Sequence, residues 1–595
     1  MKISDYIMNF LSDLNIKKVF CVTGGGAMHM NHSLGEHPLL EGVFMIHEQG
    51  AAIAAEAYAR VTDGYGCCLV TSGPGATNAL TGLVGAYIDS IPVIFISGQA
   101  KRADLVGKQG IRQFGIQEVD IISMVRSYTK YAVQIKEPED IKKELQKAAC
   151  IAMEGRPGPV WLDIPLDIQA SDVDVDELVG YEAEKVQYPV RESDLDKTIA
   201  MLKEAKRPVL MIGHGVRLGH AVQEMRQLYE LLQIPVLTTW NGVDLIEESH
   251  PLYFGRPGAV GQRAANFIQQ SADLVITIGT RLNLLNTGYN FESFLCRAKH
   301  IMVDIDENEM NKKSVHPDLK VVCDAKSFIL GMLARRADMA GEKYTDWIAR
   351  CKKLTEKYPK VIPEQKPREG YVSTYDLVQE VSSQMKTDDI YQFTSSGTSV
   401  DIAMKVFEIK WGQRAFLTKG LASMGYDVPA CVGSCLGSGK KRTVCITGDG
   451  SFAMNLQELE VIWRLQLPIK IFVVDNSGYS MIYQSQNNNF KGALTGCTQM
   501  SGLTLPDAEK IAKAFGIKSK CIKQKDYLEK VVKETLEEEG PVICKVMTDI
   551  TQQILPKQTN YMKEDGQMAS RPLEDMSPLL ERAELKESLE WGRTL

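Results

Sequence analysis

The chain lacks any apolar run approaching the 18 residues of a membrane-spanning helix, so no transmembrane segment is expected. No secretory leader is expected: MKISDYIMNFLSDLNIKKVF carries acidic residues and an amphipathic period, and reads as a first helix. It lacks a positive balance. The formal net charge of −7 argues against nonspecific nucleic-acid binding. None of its thirteen cysteines forms a CxxC pair, which points to reduced core thiols in a cytoplasmic protein rather than a disulfide framework or zinc site. It also lacks a true P-loop. GSCLGSGKK (433–441) fails the GxxxxGK[ST] spacing and fits a helix C-cap better.

What is present is 595 residues of ordinary globular composition, enough for about three domains, each with its own core. The most informative stretch runs from Arg442 to Gln486. An apolar strand, Val444 to Thr447, ends in Gly448-Asp449-Gly450. A helix-period segment follows, then a second β-rich run, Ile469 to Val474, ending in Asp475-Asn476-Ser477-Gly478. Such a strand–helix–strand unit places polar groups at the carboxyl ends of parallel strands, where open sheets bind ligands. Asp449 offers a hard anionic oxygen and Asn476 an amide oxygen, the donors Mg²⁺ prefers. Gly450 and Ser451 open the crossover segment, suiting a helix N-terminus that meets an anion. Either turn alone fits an ordinary strand end. Together, 27 positions apart, they point to a metal–diphosphate site.

This pairing resembles the thiamine-diphosphate signature. The resemblance implies Mg²⁺ held by Asp449, Asn476 and the main-chain carbonyl of Gly478, with Gly448, Gly450 and Ser451 beside the cofactor. It also implies a distant Glu against the cofactor's pyrimidine. In HEQGAAIAAEAYARVTDG, Glu48 ends a strand and opens an Ala-rich helix; alone it would be a helix N-terminal acid, but the segment resembles the pyrimidine-binding domain of these enzymes, which makes Glu48 the proton relay. SGPGATN and the following AYIDSIPVIFISGQ resemble the acetohydroxyacid synthase (acetolactate synthase) branch. Pro74 and Asn78, with Gly25 and Gly26 of the TGGG turn, are the matching cofactor contacts. QFGIQEVD resembles that branch's FQE element, giving Gln117 a catalytic role and placing Ile116, where the family carries Phe, in the substrate pocket. Lys130 of TKYA matches a TKH/TKY strand and joins that pocket by resemblance.

Thr394 to Thr398 ends a further strand in small hydroxyl residues; Ser396, Gly397 and Thr398 suit phosphate contacts. GLASMG resembles the family's GLGTMG, which makes Met424 the residue that bends the cofactor; an unbranched Met is also a common packing residue. In GYSMIYQSQ, Met481 and Ile482 match cofactor-contacting positions, and Ser485 stands where the family has the Trp that shapes the acceptor pocket.

The implied fold is α/β, with three doubly wound parallel-sheet domains: 1–170 (pyrimidine-binding), 193–335 (middle) and 373–550 (diphosphate- and Mg²⁺-binding), followed by a C-terminal arm, 551–595. Residues 171–192 and 337–372 read as linkers. The outer domains share an alternating architecture suggestive of duplication. The middle domain resembles one in which the family binds FAD that takes no redox part, with Gly213, Gly215, Gly279, Arg281 and Asp304 as contacts. GTRLNLLNTG and GRPGAVGQ depart from the family's loops, so an ADP-binding or empty nucleotide-like domain stays open.

The implied reaction is decarboxylation of pyruvate or a related 2-keto acid and transfer of the two-carbon unit to a carbonyl acceptor. The implied assembly is a homodimer or homotetramer with sites shared between subunits. RQFGIQEVDI and SRPLEDMSP also resemble enzymes that add a two-carbon branch to nucleotide-activated keto-deoxy sugars. A plain 2-keto acid decarboxylase or an oxalyl-CoA-type enzyme is the alternative; the former class often carries adjacent histidines, and this chain has none.

Overall fold

The computed structural model describes residues 1–184, 186–339 and 344–591. Three parallel sheets form three α/β domains. The first holds β1 (Lys18–Cys21), β2 (Glu41–Phe44), β3 (Gly66–Val70), β4 (Val93–Gln99), β5 (Tyr131–Gln134) and β6 (Val160–Pro165), in the order β2-β1-β3-β4-β6-β5. The middle sheet holds β7 (Pro208–Ile212), β8 (Val236–Thr238), β9 (Leu274–Ile278), β10 (Lys299–Asp304) and β11 (Leu319–Val322), in the order β11-β10-β9-β7-β8. The last holds β12 (Ile390–Phe393), β13 (Arg414–Phe416), β14 (Thr443–Gly448), β15 (Ile469–Asp475), β16 (Lys518–Ile522) and β17 (Val542–Met547), in the order β13-β12-β14-β15-β17-β16.

The central strands are buried along their length, as parallel strands covered by helices on both faces must be. Numbered within each domain, the outer sheets have one identical order, 2-1-3-4-6-5, and the middle sheet follows the same rule with one strand fewer. In each, the chain reverses direction across the sheet between its first and third strands. A crevice opens at that switch point, and all three candidate sites lie there.

The Glu48–Thr62 helix is buried from Gly50 to Arg60 and packs on the Asp427–Gly437 helix of the third domain. Alanines at 51, 52, 54, 55, 57 and 59 permit that approach. Gly433 faces the Ala54 carbonyl so closely that a Cβ there would lie 2.0 Å away.

One linker expectation needs correction. Within 337–372, the Thr345–Lys357 helix buries Trp347, Cys351 and Leu354 in the middle domain's core, and the Trp347 indole donates to the Pro208 carbonyl at 3.0 Å. An amphipathic helix with these apolar residues on one face has nowhere else to bury them. The segment after 550 docks on the middle domain too. Leu573 and Leu589 join its core, Glu574 pairs with Arg297 at 2.9 Å, and Asn266 donates to the Leu573 carbonyl. Among the described residues no helix is long and apolar enough to cross a membrane.

Candidate active site

At the β12/β14 switch, Asp449 follows β14 and is 6% exposed. Its Oδ1 accepts the Gly450 N–H at 2.8 Å; its Oδ2 accepts the N–H groups of Asn476 and Gly478 at 3.1 and 3.3 Å. Burial, then the neighbouring Asp475, pushes its carboxyl up to about 7. A cation would relieve that penalty and return the group to its charged form. Asn476 Oδ1 is buried with no partner, an acceptor without a donor beside a desolvated carboxylate. That pairing fits a hard divalent cation. Among the described residues no group of three His, Cys, Asp or Glu is arranged for a metal. This donor set has one carboxylate, and Mg²⁺ commonly completes its shell with phosphate and water.

The surrounding loops fit a close ligand. Gly450 leaves room only for the Tyr479 ring and the Met424 Sδ–Cε end; a Cβ there would lie 2.3 Å from Tyr479 and 3.2 Å from Met424 Cε. Gly478 is pressed on the Cys497 carbonyl, 2.2 Å from an added Cβ, and bridges to Thr498. Gly397, at φ +85°, starts the Thr398–Val406 helix, whose first hydroxyl meets Ser480 at 2.9 Å. Ser396 and Gly397 are half-buried at that N-terminus, beside Ser399, which Gly448 approaches. Ser451 and Thr447 donate to Asp427, at 2.5 Å each, fixing the turn from below. Met481 and Ile482 are exposed on the Ser480–Asn489 helix, with Ser485 one turn on.

At the β1/β3 switch, Gly26 donates to the Thr71 hydroxyl at 3.0 Å, and a Cβ on Gly26 would strike Ser72 at 2.4 Å. Gly25 has open space before it. Glu48 is the first residue of its helix, half-buried, and its Oε2 accepts the Asn78 amide at 2.9 Å. The Gly73-Pro74-Gly75 turn lies against it: Glu48 Oε1 would be 3.6 Å from a Cβ on Gly75. Gln117 adopts φ +60°, and its carbonyl would be 2.8 Å from a Cβ on Gly73, itself at φ +62°. A strained non-glycine residue at a loop end points to a positioned functional group. Its loop is tied at two places. The Glu118 carboxylate accepts the N–H groups of Val106, Phe114 and Gly115 at 2.5 to 3.3 Å. Gln99, held by buried Asp163, donates to the Val119 carbonyl at 2.8 Å. Ile116 beside it is 91% exposed.

Glu458 was not read from the sequence. It reaches across from the third domain, and its carboxylate accepts the N–H groups of Ile46 and His47 at 3.2 and 3.0 Å, at the threshold of the Glu48 helix. Burial pushes it up to about 7. Nothing in LQELE distinguishes it from a surface acid; only the fold brings it there.

Lys130 needs correction. It precedes β5, at the amino end of the sheet, and its amine donates to the Glu154 carbonyl at 2.5 Å. Burial lowers it to about 8. The ligand crevice is at the other end of the strands, so Lys130 is not part of it.

In the middle domain, a cleft at the β7/β9 switch is lined by Gly215, Gly279, Arg281 and Asp304. Gly213 abuts Gly279, whose carbonyl would be 2.4 Å from an added Cβ. Glycines facing each other here let two turns close around a phosphate-bearing ligand. Arg156, Trp240, Asp324 and Lys419 also line it, residues the motif reading missed. Arg281 reaches back to the Ile88 carbonyl and Asp89, and Arg156 to Asp306 and Glu309. The facing glycine turns, the arginines and half-buried Asp304 suit a nucleotide such as FAD.

Three family models match: "Thiamine pyrophosphate enzyme, N-terminal TPP binding domain" over residues 1–124, the "central domain" over 195–332 and the "C-terminal TPP binding domain" over 395–546. The chain is 32% identical over 564 residues to a "Probable acetolactate synthase large subunit" of Methanocaldococcus jannaschii, covering 92% of each chain. It is 32% identical to the "Acetolactate synthase isozyme 2 large subunit" of Escherichia coli, covering 93% of this chain and 96% of that one. It is 30% identical to "Acetolactate synthase 2, chloroplastic" of Nicotiana tabacum, covering 93% and 83%.

Proposed function

Because the chain belongs to the acetolactate synthase family of thiamine-pyrophosphate enzymes, we propose that it decarboxylates pyruvate and joins the two-carbon unit to a second carbonyl compound, with the residues above in the following roles. As a thiamine-diphosphate-dependent carboligase it works on small molecules. The observation that carries the assignment is the unpartnered Asn476 oxygen beside buried Asp449.

Asp449, Asn476 and the Gly478 carbonyl would hold Mg²⁺. The N-terminus at Ser396-Gly397-Thr398, with Gly448, Gly450 and Ser451, would receive the diphosphate. When bound, thiamine diphosphate supplies the carbon that attacks the donor's keto group and accepts the electrons left as CO₂ departs. Glu48 relays a proton at a pyrimidine ring nitrogen; Asn78 holds its other oxygen and fixes the carboxylate's orientation. Gly25, Gly26 and Pro74 let backbone approach the ring. Met424, with Met481 and Ile482 on the neighbouring helix, supplies an apolar wall that excludes water. Gln117, locked in its left-handed conformation, presents an amide to the substrate. FAD in the middle cleft would act as a structural group.

Glu48 has no hydrogen bond or ion pair to the Asp449 cluster among the described residues. Large apolar side chains are exposed around both halves: Ile46, Phe114 and Ile116 on one, Met481, Ile482 and Phe490 on the other. These features support a homodimer or homotetramer in which each site joins halves from two copies. Thirteen free cysteines, mostly buried, support a reducing, cytoplasmic setting.

A bulkier acceptor is the second reading, favoured by Ser485 and Ile116, both small or aliphatic and both exposed. Purified protein given pyruvate, thiamine diphosphate, Mg²⁺ and FAD should release CO₂ and form acetolactate if a second pyruvate is the acceptor. Slow CO₂ release that accelerates with a nucleotide-linked keto-deoxy sugar supports the second reading. No turnover of pyruvate defeats both, and oxalyl-CoA becomes the donor to try.

A further inference from the structure

The loop that carries Gln117 is joined to the first sheet through a buried carboxylate for which the reaction has no direct use. Asp163, on β6, stands in register with Ser97 on β4 and Gln134 on β5. Its side chain is wholly buried. Its Oδ1 accepts the Ser97 hydroxyl at 2.6 Å; its Oδ2 accepts the Gln134 amide at 2.8 Å and the Gln99 amide at 3.0 Å. Ser97 in turn accepts the Trp161 indole N–H at 2.9 Å. Asp120 nearby has the same sign, so hydrogen bonds rather than an ion pair hold the charge. Burial pushes the carboxyl up to about 6. Above that pH the group is ionised and only accepts.

This charge decides how Gln99 sits. Gln99 ends β4 and is almost fully buried. Its Nε2 has two protons, one directed at Asp163 and the other at the Val119 carbonyl, 2.8 Å away. Its Oε1 accepts the Ala100 N–H at 2.9 Å. Turning the amide over would set its oxygen between a carboxylate and a carbonyl, and its NH₂ against an N–H. Asp163 therefore admits one orientation, the one that grips the loop.

Val119 follows Gln117 and Glu118. Gln117 is fixed at φ +60° against the Gly73 turn, which lies beside Glu48, and its own side chain is exposed. The other ties act elsewhere. The Glu118 carboxylate binds N–H groups of Val106, Phe114 and Gly115, so it shapes the loop from within. Arg102 anchors the loop's beginning on Asp167. Gln99 is the link from the sheet to the residues that follow Gln117.

We propose that Gln99, oriented by Asp163, is a positioning residue for Gln117: the pair keeps the Gln117 amide in place relative to Glu48, and its effect falls on substrate rather than on cofactor. The inference rests on the reading of Gln117 as a substrate contact. The test is a double-mutant cycle on the full chain loaded with thiamine diphosphate, Mg²⁺ and FAD. Gln99→Met keeps the side chain's length and removes the bond to Val119. It should lower kcat/KM for pyruvate by roughly 10–100-fold. Cofactor affinity, and proton exchange at the cofactor's reactive carbon, should stay within about twofold of the unmodified enzyme. Gln117→Ala should cost at least as much. Adding Gln99→Met to it should cost nothing further, because no amide is left to position. Additive losses, or an equal loss of cofactor affinity, would overturn the proposal and make Gln99 a general structural residue. Normal turnover of pyruvate by Gln117→Ala would defeat the reading of Gln117 itself, and the positioning role with it. If Gln99→Met does not fold, Asp163→Asn keeps the shape of the buried group and frees the Gln99 amide to turn over. Its loss should likewise vanish in the Gln117→Ala background, and a loss that persists there overturns the proposal.

Discussion

The first and third domains share one strand order, and each places a glycine turn at the same switch point, yet they do different chemistry. The first presents Glu48 at a helix start, with one oxygen bound to Asn78 and the other side open to the crevice. The third presents Asp449, wrapped in three backbone N–H groups beside an unpartnered amide oxygen. One carboxylate is placed to exchange a proton, the other to be neutralised by a cation. The topology supplies the crevice; two or three residues after each strand decide its use.

That contrast can be broken by exchange of charge. Glu48→Gln should lower kcat by about 10²–10⁴-fold while thiamine diphosphate still binds; calorimetry and proton exchange at the cofactor's reactive carbon separate the two. Normal exchange in this variant would falsify the proton-relay role. Asp449→Asn should instead weaken Mg²⁺ and cofactor binding together, and Asn476→Ala should do so by about 10–100-fold. If Asp449→Asn binds normally and fails only in turnover, the division of labour between the domains is wrong.

The middle domain sharpens the comparison. Gly213→Ala should abolish flavin retention, read from visible absorbance, because the new Cβ would lie 2.4 Å from the Gly279 carbonyl. Thiamine diphosphate affinity should be unchanged. Equal loss of both would mean that the sites are not separable.

Glu458 joins the outer domains and gives a pH test. Burial pushes its native carboxyl up to about 7, above the ordinary glutamate value of about 4.5. Between those values the native state holds the extra proton, so this contribution to stability is full below about 4.5 and is lost as pH rises through 7. Glu458→Gln should flatten that part of a stability–pH curve, measured by denaturant midpoints. The smallest effect is expected at Lys130: Lys130→Met should leave kcat/KM within about twofold, since the residue lies at the amino end of its sheet. A tenfold loss would return it to the site.

The turns were legible in the sequence because their chemistry is local. GDG, DNSG, SGPG and HEQG each carry glycines or short polar residues whose conformations do not depend on distant partners. The order of domains followed from the same punctuation. Glu458 and Arg156 were not legible, since each acquires its place from residues that only packing supplies. Lys130 was misplaced for the converse reason. A short match named the residue, but strand direction decides which end of the sheet it occupies. The helix within 337–372 was hidden by surface charge around Trp347 and Cys351.

The docking of the segment after 550 on the middle domain has a consequence for how the chain is made. Asn266 and Leu573, bonded across that contact, are 307 positions apart. A ribosome that has just released the middle domain has not yet synthesised the residues that cover Phe267 and Tyr358. The second domain must therefore wait, with part of its core open to solvent, until the third has emerged. During that interval a chaperone, or a misplaced neighbour, meets it first.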